Sequence, residues 1–472
     1  MKKLLCLSFI FLVLLTTSCT KERPNPLLTL AARPASTADL KASATHRPVF
    51  TPGQLVEYFA QTGDNLPMLA ARFNSSEDSI RRANPIIPAE VSTLPQGLPM
   101  KIPIFFTPFW GNAFKIIPNS AFIFGKEAAG FEFKNFAEEI KDQFDGIRQI
   151  SESESASAKL IQTCLEASIS PRLMLALMEY GLTQGWRLVT DSELLLSELL
   201  QGKNTMLTSW LGQLNTAYYQ YQTGNLISLD LPDASLERID PWQNAASAAL
   251  HAFFSRMLEN AEDYQRAVSE DGFAFFYQEI FNDPWLEQRE VLPGSLAWPE
   301  TGMPLLAQGG WQLLESPRAA DGLSRWPGAG IGFHASFQNA NDGNSYGKVF
   351  AIHSGKIIRM EGFSVVISLG GQTEFEGWSI VYEGITPNTE LKPGSFVQAG
   401  ALIGKVDATQ WNSSFWLSRK FNGEWVALDW VVPLNLAGWL ASPDEESGSL
   451  VLRKGTVEVF SKPGKGQSNV IQ

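Results

Sequence analysis

The spacing of apolar residues changes twice along this chain of 472 residues, so one fold cannot accommodate all of it. Residues 51–106 predict a strand, two helices and a second strand. Residues 107–300 have mostly helical periodicity. From about Gly309 onward, short strands alternate with glycine turns. We therefore predict a multidomain protein: a small α+β unit, an all-α unit, an all-β unit at 301–442 and a strand extension at 443–472.

Charge and cysteine content exclude two classes of protein. The formal net charge is −12 and the isoelectric point about 5.0, which argues against nucleic acid as a partner, because such binding needs clustered Lys and Arg. Of three cysteines, Cys6 and Cys19 lie in or beside an N-terminal targeting segment, which leaves Cys164 without a partner. A disulfide framework is thereby excluded, and Cys164 is expected to be a small buried apolar residue.

The N-terminus predicts export. Two lysines precede an apolar run from Leu4 to Leu15, which is typical of a secretory signal peptide and too short for a permanent anchor. We assign residues 1–18 to this signal and residues 19–50, which are rich in Pro, Ser and Thr, to a flexible tether.

The stretch ending at Cys19 resembles a bacterial lipobox. This resemblance implies that Cys19 carries a lipid, and that the protein lies outside the cytoplasm, anchored to the cell membrane within the envelope. The alternative is an ordinary cleaved signal followed by an incidental cysteine.

In the small unit, local signals fix the two helices. The first should begin at an Asp64/Asn65 cap with Pro67 in its first turn, and the second near Ser76. The unit resembles the LysM family on the following residues: Gly63-Asp64, Leu69-Ala70, Arg72-Phe73, Ala83-Asn84-Pro85 and Met100-Lys101-Ile102-Pro103.

The LysM resemblance implies binding of peptidoglycan and other glycans that contain N-acetylglucosamine. Carried over from the family, the sugar site comprises Gly63, Asp64, Asn65 and Leu66 on one side and Asn84, Pro85, Ile86 and Ile87 on the other. Asn65 stands where Thr is more usual. The alternative is a LysM-like fold that binds nothing.

The helical unit resembles the lysozyme-like fold of lytic transglycosylases. The resemblance rests on the apolar helix after Ser170-Pro171 and on the later segment from Asp240 to Asn244, which opens another helix. Gly181 then occupies the position of the catalytic Glu. Glu179 lies two residues earlier, roughly 200° around the helix, and is expected to be a solvated surface residue. His251, which has aromatic neighbours, is expected to be packed rather than catalytic.

The C-terminal unit resembles the lysostaphin-type (LytM) zinc endopeptidases of peptidoglycan. The resemblance rests on ordered landmarks between Val349 and Trp425, including Leu391-Lys392-Pro393-Gly394, Ala399-Gly400 and the Asn422-Gly423 hairpin signal. The family's catalytic positions are not matched. Its Tyr-x-His turn reads Tyr382-Glu383-Gly384, and its His-x-His strand reads Ser414-Phe415-Trp416.

Few metal ligands remain in this unit. His334 could stand for the first zinc ligand, but Gln338 follows it where the family has Asp. Catalytic zinc sites keep three protein ligands, so we predict no metal and no cofactor. A site rebuilt from His334, His353 and Asp342 is the alternative that would need zinc. Trp416 suits either stacking on a sugar or peptide, or filling the vacated pocket.

These observations favour a surface-anchored, peptidoglycan-binding lipoprotein without catalytic activity, which binds or regulates during cell-wall remodelling. Gly384, Ser414, Trp416 and Gly181 would be vestigial catalytic positions. Its expected partners are peptidoglycan, the membrane through its lipid, and a cell-wall hydrolase. The alternatives are an active zinc endopeptidase with atypical ligands and a muramidase-type enzyme.

Overall fold

The computed structural model describes residues 50–471 except for the segments given at the end of this paragraph. The predicted signal peptide and Cys19 lie outside the described residues, as do Gln338 and Asp342. In the described part of the chain, no helix combines the length and apolarity needed to cross a membrane. The segments not described are 90, 92, 106–110, 141–144, 187–205, 287–291, 293–295, 307–309, 315–329, 336–346, 410, 429–431 and 445–448.

The N-terminal unit has the predicted order of strand, helix, helix and strand. The Asn65 side chain accepts a hydrogen bond from Met68 N at 3.0 Å, and Ser76 accepts one from Ser79 N at 3.2 Å, so both helices start where their caps predict. The two strands pair antiparallel. The elements are β1 (Gln54–Phe59), α1 (Leu66–Arg72), α2 (Glu77–Ala83) and β2 (Pro99–Ile104).

The second unit is helical and encloses the largest apolar core of the described chain. Its caps again follow the sequence: Ser153 begins α7 and Asn244 begins α10. Cys164 is fully buried and free, as predicted. The helices are α3 (Asn119–Phe122), α4 (Lys126–Ala129), α5 (Phe133–Ile140), α6 (Asp145–Ser151), α7 (Glu154–Ala167), α8 (Pro171–Thr183), α9 (Met206–Gln222), α10 (Ala245–Met257), α11 (Ala261–Ala267) and α12 (Phe275–Phe281), with a π-helical turn at Glu270–Ala274 and a hairpin of β3 (Ser228–Asp230) and β4 (Leu236–Arg238).

The third unit is built on an antiparallel sheet. Its described strands run β12-β8-β9-β10-β14-β6-β5-β20, and β15 pairs with the end of β14. The bounds are β5 (Trp311–Leu314), β6 (Gly330–Ala335), β8 (Gly355–Glu361), β9 (Ser364–Ser368), β10 (Trp378–Glu383), β12 (Phe396–Val397), β14 (Ser414–Phe421), β15 (Glu424–Trp425) and β20 (Val470–Ile471).

Two smaller sheets complete this unit. The predicted strands in the C-terminal tail are present, but the predicted boundary at 442/443 falls inside β17, which belongs to a four-stranded meander. One sheet contains β11 (Ile385–Pro387), β13 (Leu402–Val406) and β7 (Lys348–Phe350). The meander contains β16 (Leu434–Leu436), β17 (Trp439–Pro443), β18 (Leu450–Lys454) and β19 (Val457–Phe460).

The predicted Asn422-Gly423 turn joins β14 to β15. Both residues have positive φ, at 51° and 90°, as a two-residue hairpin turn of this kind requires. The tip of this hairpin packs against the helical unit. The Ser168 hydroxyl donates to Gly423 O, and a Cβ added to Gly423 would lie 2.4 Å from Phe124 O. Glycine is therefore required here both for its backbone conformation and for the close approach.

Glu424 follows this turn and is fully buried between the units. Tyr218 Oη and Gln222 Nε2, both on α9, donate to its Oε1 at 3.0 and 2.8 Å. Burial raises the pKa of Glu424 to about 7, against which these two hydrogen bonds act. Near neutral pH, the carboxyl therefore exchanges between its protonated and charged forms.

The substitution Glu424→Gln is expected to flatten the pH dependence of stability. Because the folded pKa is raised, stabilisation by the protonated carboxyl is fully present below its ordinary pKa of 4.5 and is lost as pH rises through about 7. This loss amounts to roughly 3 kcal/mol. An uncharged amide does not titrate, so the variant should gain stability relative to wild type between pH 5 and 8. Thermal unfolding at several pH values measures this.

The matched control for this experiment is Glu390→Gln, which removes an exposed carboxyl from a surface turn. Its unfolding temperature should follow that of wild type across the pH range. Parallel pH curves for Glu424→Gln and wild type would contradict the assignment of this titration to Glu424.

Candidate functional sites

The first predicted sugar loop, Gly63–Leu66, is held by a buried carboxylate. Asp64 is 1% exposed; its Oδ1 lies 3.1 Å from Arg72 Nη1, and its Oδ2 accepts from Tyr58 Oη and, at 2.7 Å, from Gln61 N. Burial and the charge of Asp64 raise the pKa of Tyr58 well above its ordinary value, so its phenol remains a donor. The loop is therefore fixed from inside its own unit.

The same loop also contacts the helical unit and the segment after it. Gln61 Nε2 donates to Trp242 O at 3.1 Å and to Gln243 O at 2.9 Å, and Thr62 Oγ1 donates to Leu292 O at 3.3 Å. A Cβ added to Gly63 would lie 3.0 Å from Gln222 Nε2. All four predicted sugar-binding residues from Gly63 to Leu66 are consequently buried.

The second predicted sugar loop, Asn84–Ile87, is partly open. The Asn84 side chain is occupied, because it donates to Ile80 O and Lys101 O and accepts from Lys101 N at 2.8 Å. Pro85 is exposed, Ile86 is 77% exposed and Ile87 is buried. The structure thus leaves one of the two predicted loops accessible to a ligand and covers the other.

In the helical unit, the position aligned with a catalytic acid is closed. A Cβ added to Gly181 would lie 2.5 Å from the Trp186 ring, which packs between Tyr180 and Trp210. An acidic side chain could not be placed there without displacing this indole.

The prediction that Glu179 is solvated is wrong. This residue is 3% exposed and its Oε1 accepts from Ile147 N, in the first turn of α6. The carboxylate is stabilised there by the unpaired backbone donors of a helix start. The angle around α8 correctly placed Glu179 on another side from Gly181, but that side faces a neighbouring helix rather than water.

His251 is packed, as predicted. Burial lowers its pKa to about 4, and its Nδ1 lies 2.9 Å from Tyr264 Oη. Tyr264 also shares a hydrogen bond with Glu237, whose pKa burial raises to about 7. These three residues form a hydrogen-bonded chain within the helical unit.

In the C-terminal unit, the predicted catalytic positions converge where β6, β14 and β10 meet. Ser414 is paired with His334 across β14 and β6, and His334 Nδ1 lies 3.1 Å from Ser414 Oγ. Trp416 is paired with Gly332 on the same face, while the alternate residues Phe333 and Phe415 point into the core. The sequence alignment therefore identified one continuous site.

Two indoles occupy this site. A Cβ added to Gly332 would lie 2.7 Å from Trp416 Nε1, so the absence of a side chain in β6 lets the indole lie across the strand. The Trp411 ring lies 5.3 Å from that of Trp416 and 3.3 Å from the Cβ position of Gly384. Both indoles are half-buried.

Sequence reasoning missed Trp411 and Gly332. The glycines at 330 and 332 within an apolar strand were the available signal, because glycine inside a strand indicates close approach by another group. Trp411 carried no signal, since it precedes the strand and no family position corresponds to it.

The second histidine of this unit, His353, makes a local contact. Its Nδ1 lies 2.6 Å from Ser354 O in the turn before β8. The adjacent Ile352 N donates to Tyr382 Oη at 2.9 Å, which gives the tyrosine of the family's Tyr-x-His turn a structural role. Asp342, the third member of the alternative site, lies outside the described residues.

The described residues at this site do not fit a catalytic zinc ion. His334 supplies one imidazole, whereas Ser414 is a hydroxyl, Gly384 has no side chain, and the Trp416 indole N–H can only donate. Over the described part of the chain, no group of three or more His, Cys, Asp or Glu side chains is placed to hold a metal.

Comparison with known proteins gives one match in sequence. Residues 115–294 match the family model of the LasA N-terminal domain. This segment corresponds to the helical unit, which is therefore similar to that domain; the match does not bear on the expected likeness to lytic transglycosylases. No curated protein matches the chain.

Several solved structures are similar to part of the chain. Pseudoalterin, an M23 metalloprotease from the deep sea, is 16% identical, with 35% of this chain and 98% of that one covered and a TM-score of 0.28. Lysostaphin from Staphylococcus simulans is 14% identical over 37% of this chain and 91% of that one (TM-score 0.19). A zinc-containing peptidase from Vibrio cholerae is 14% identical over 29% and 41% (TM-score 0.19). Scores this low carry no argument about fold or activity.

Restoring a histidine at position 384 should destabilise the protein. Gly384 has φ +83°, and a Cβ there would lie 2.5 Å from Ser414 O, a backbone atom that cannot move away on its own. Gly384→His should therefore cost about 1–3 kcal/mol beyond its backbone strain. Urea unfolding measures the loss.

The matched control is Gly400→His, at φ +81° with no atom within 4 Å of its Cβ position. It carries the same backbone strain without the collision, so the difference between the two variants isolates the contact with Ser414. Equal losses of stability in the two variants would show that the site has room for a side chain at 384.

Proposed function

We propose that this protein is a cell-envelope lipoprotein that binds peptidoglycan and carries a C-terminal unit related to LytM-type zinc endopeptidases but without their activity. The observation that carries the proposal is the composition of the site where β6, β14 and β10 meet. Hydrolysis by zinc needs several ligands converging on one ion, because only then does the pKa of its bound water fall towards neutrality. His334, Ser414, Gly384 and Trp416 do not provide such a set.

The part of the protein proposed to bind peptidoglycan is the N-terminal unit. Its strand-helix-helix-strand order and its capping residues Asn65 and Ser76 support the LysM resemblance. Loops Gly63–Leu66 and Asn84–Ile87 are the proposed sites for an N-acetylglucosamine-containing glycan. The C-terminal unit would then hold or regulate a cell-wall hydrolase rather than cut the wall itself.

The lack of activity is tested by metal content and product release. The purified full chain should contain no stoichiometric zinc and should release no muropeptides from peptidoglycan. The variant His334→Ala should match wild type in both measurements, because a single imidazole does not make a catalytic site. About one zinc per chain, lost in His334→Ala together with a chelator-sensitive release of muropeptides, would establish the peptidase function instead.

The lipid anchor is tested separately at Cys19. The substitution Cys19→Ser should move the protein from the membrane to the soluble envelope fraction, because one thiol is the proposed attachment point for the lipid. Incorporation of labelled fatty acid should be lost at the same time. The control is Cys6→Ser, which alters the other N-terminal thiol and should leave both readouts unchanged. A Cys19→Ser protein that remains in the membrane and still incorporates the label would contradict the proposal.

A further inference from the structure

We infer that the N-terminal unit is held in a closed state in which its loop Gly63–Leu66 docks on the helical unit, so that docking and glycan binding exclude each other. This inference rests on the proposed function and concerns the regulation of that same site. It follows from which atoms of the loop are already occupied.

The first observation is the burial of the loop by residues distant in sequence. Gln61 and Thr62 donate to backbone carbonyls of Trp242, Gln243 and Leu292, which lie about two hundred residues further along the chain. Within the unit, Leu94 N donates to Asp64 O at 2.8 Å. A sugar needs backbone groups and apolar faces that it can reach, and these residues are enclosed by protein.

The second observation is an aromatic anchor beside the loop. The Trp242 ring packs edge-on against Phe73 at 5.0 Å and near Phe50 at 6.3 Å, and its Nε1 donates to Glu57 O at 3.2 Å. One side chain of the helical unit thus contacts the core and the first strand of the N-terminal unit. Its indole contributes a large part of the apolar contact between them.

The third observation is a charged group shared by both units. The Arg72 guanidinium, paired with Asp64, lies 4.0 Å from the centre of the Tyr221 ring, and Arg72 O accepts from Arg238 Nη2 at 3.2 Å. Cation–π contact in a desolvated setting favours the docked arrangement. Undocking would expose this pair to water, which compensates part of the lost contact, so the closed state can open without unfolding the unit.

The docked state is also connected to the C-terminal unit. Gln222, which lies against Gly63, donates to Glu424 of the β14–β15 hairpin. One side chain of α9 therefore contacts both the loop and the third unit. Any partner or load that displaces the hairpin from α9 also changes what supports the loop.

Mutual exclusion has a measurable consequence for affinity. If only a fraction of molecules is undocked, the apparent dissociation constant exceeds the intrinsic one by the inverse of that fraction. With roughly one molecule in ten open, a variant that undocks should bind about tenfold more tightly. Reciprocally, bound glycan should stabilise the open state.

The experiment uses the full chain with the substitution Trp242→Ala, which removes the anchor and leaves every residue of the N-terminal unit unchanged. Trp439→Ala, a half-buried indole in β17, is the matched control. A second undocking variant, Gln61→Ala, removes the bonds to Trp242 O and Gln243 O, in case Trp242→Ala fails to fold. Hydrogen exchange at residues 61–66 reports docking, and pelleting with purified peptidoglycan and titration with an N-acetylglucosamine oligomer report binding.

Faster exchange at residues 61–66 and about tenfold tighter binding in Trp242→Ala or Gln61→Ala, with Trp439→Ala like wild type, is the expected result. Faster exchange with unchanged binding would overturn the inference and leave the proposed glycan function standing. Faster exchange without binding by any protein would overturn the proposed function, and the inference with it. Unchanged exchange in both variants would show that these contacts do not hold the loop closed.

Discussion

A carboxyl group buried away from water must find hydrogen-bond donors, and Glu424 finds them in a different unit of the chain. Tyr218 and Gln222 of α9 supply both donors to Oε1, and neither lies near Glu424 in sequence. Separating the units would leave this group without them unless water entered. Since Gln222 also lies against Gly63, the position of α9 relative to the third unit determines what the N-terminal loop meets.

The hairpin that carries Glu424 owes its position to two residues. Asn422 and Gly423 both adopt positive φ, and the tip then fits within 2.4 Å of Phe124 O, measured from where a Cβ at 423 would stand. A residue with a side chain at 423 would be strained in its backbone and would collide with the helical unit. The turn that the sequence announces as local structure thus also sets the distance between two units.

Sequence reasoning predicted local structure well because its signals are local. Asn65, Ser76 and Asn244 cap helices, and Asn422-Gly423 forms a hairpin, through atoms within a few residues of one another. It failed where the environment is supplied from far along the chain. Glu179 was expected in water because helical angle gives a direction but not what lies there, and the start of α6 occupies that direction. The burial of Gly63–Leu66 likewise depends on Gln222 and Leu292. Placing the catalytic positions together succeeded because strand register carries them.

The convergence of His334, Ser414 and Trp416 also explains why the site is not one substitution away from a metal centre. Alternation in β6 and β14 directs these side chains to one face, so their positions follow from register alone and would survive loss of function. The space is different. Gly332 and Gly384 lack side chains, and the rings of Trp416 and Trp411 lie at their Cβ positions. An imidazole introduced at either position meets an indole or backbone before it can meet a metal. Ligand geometry would require removing both indoles and adding several ligands together, and each step alone lowers packing without creating a site, because catalytic groups of this kind act as a unit.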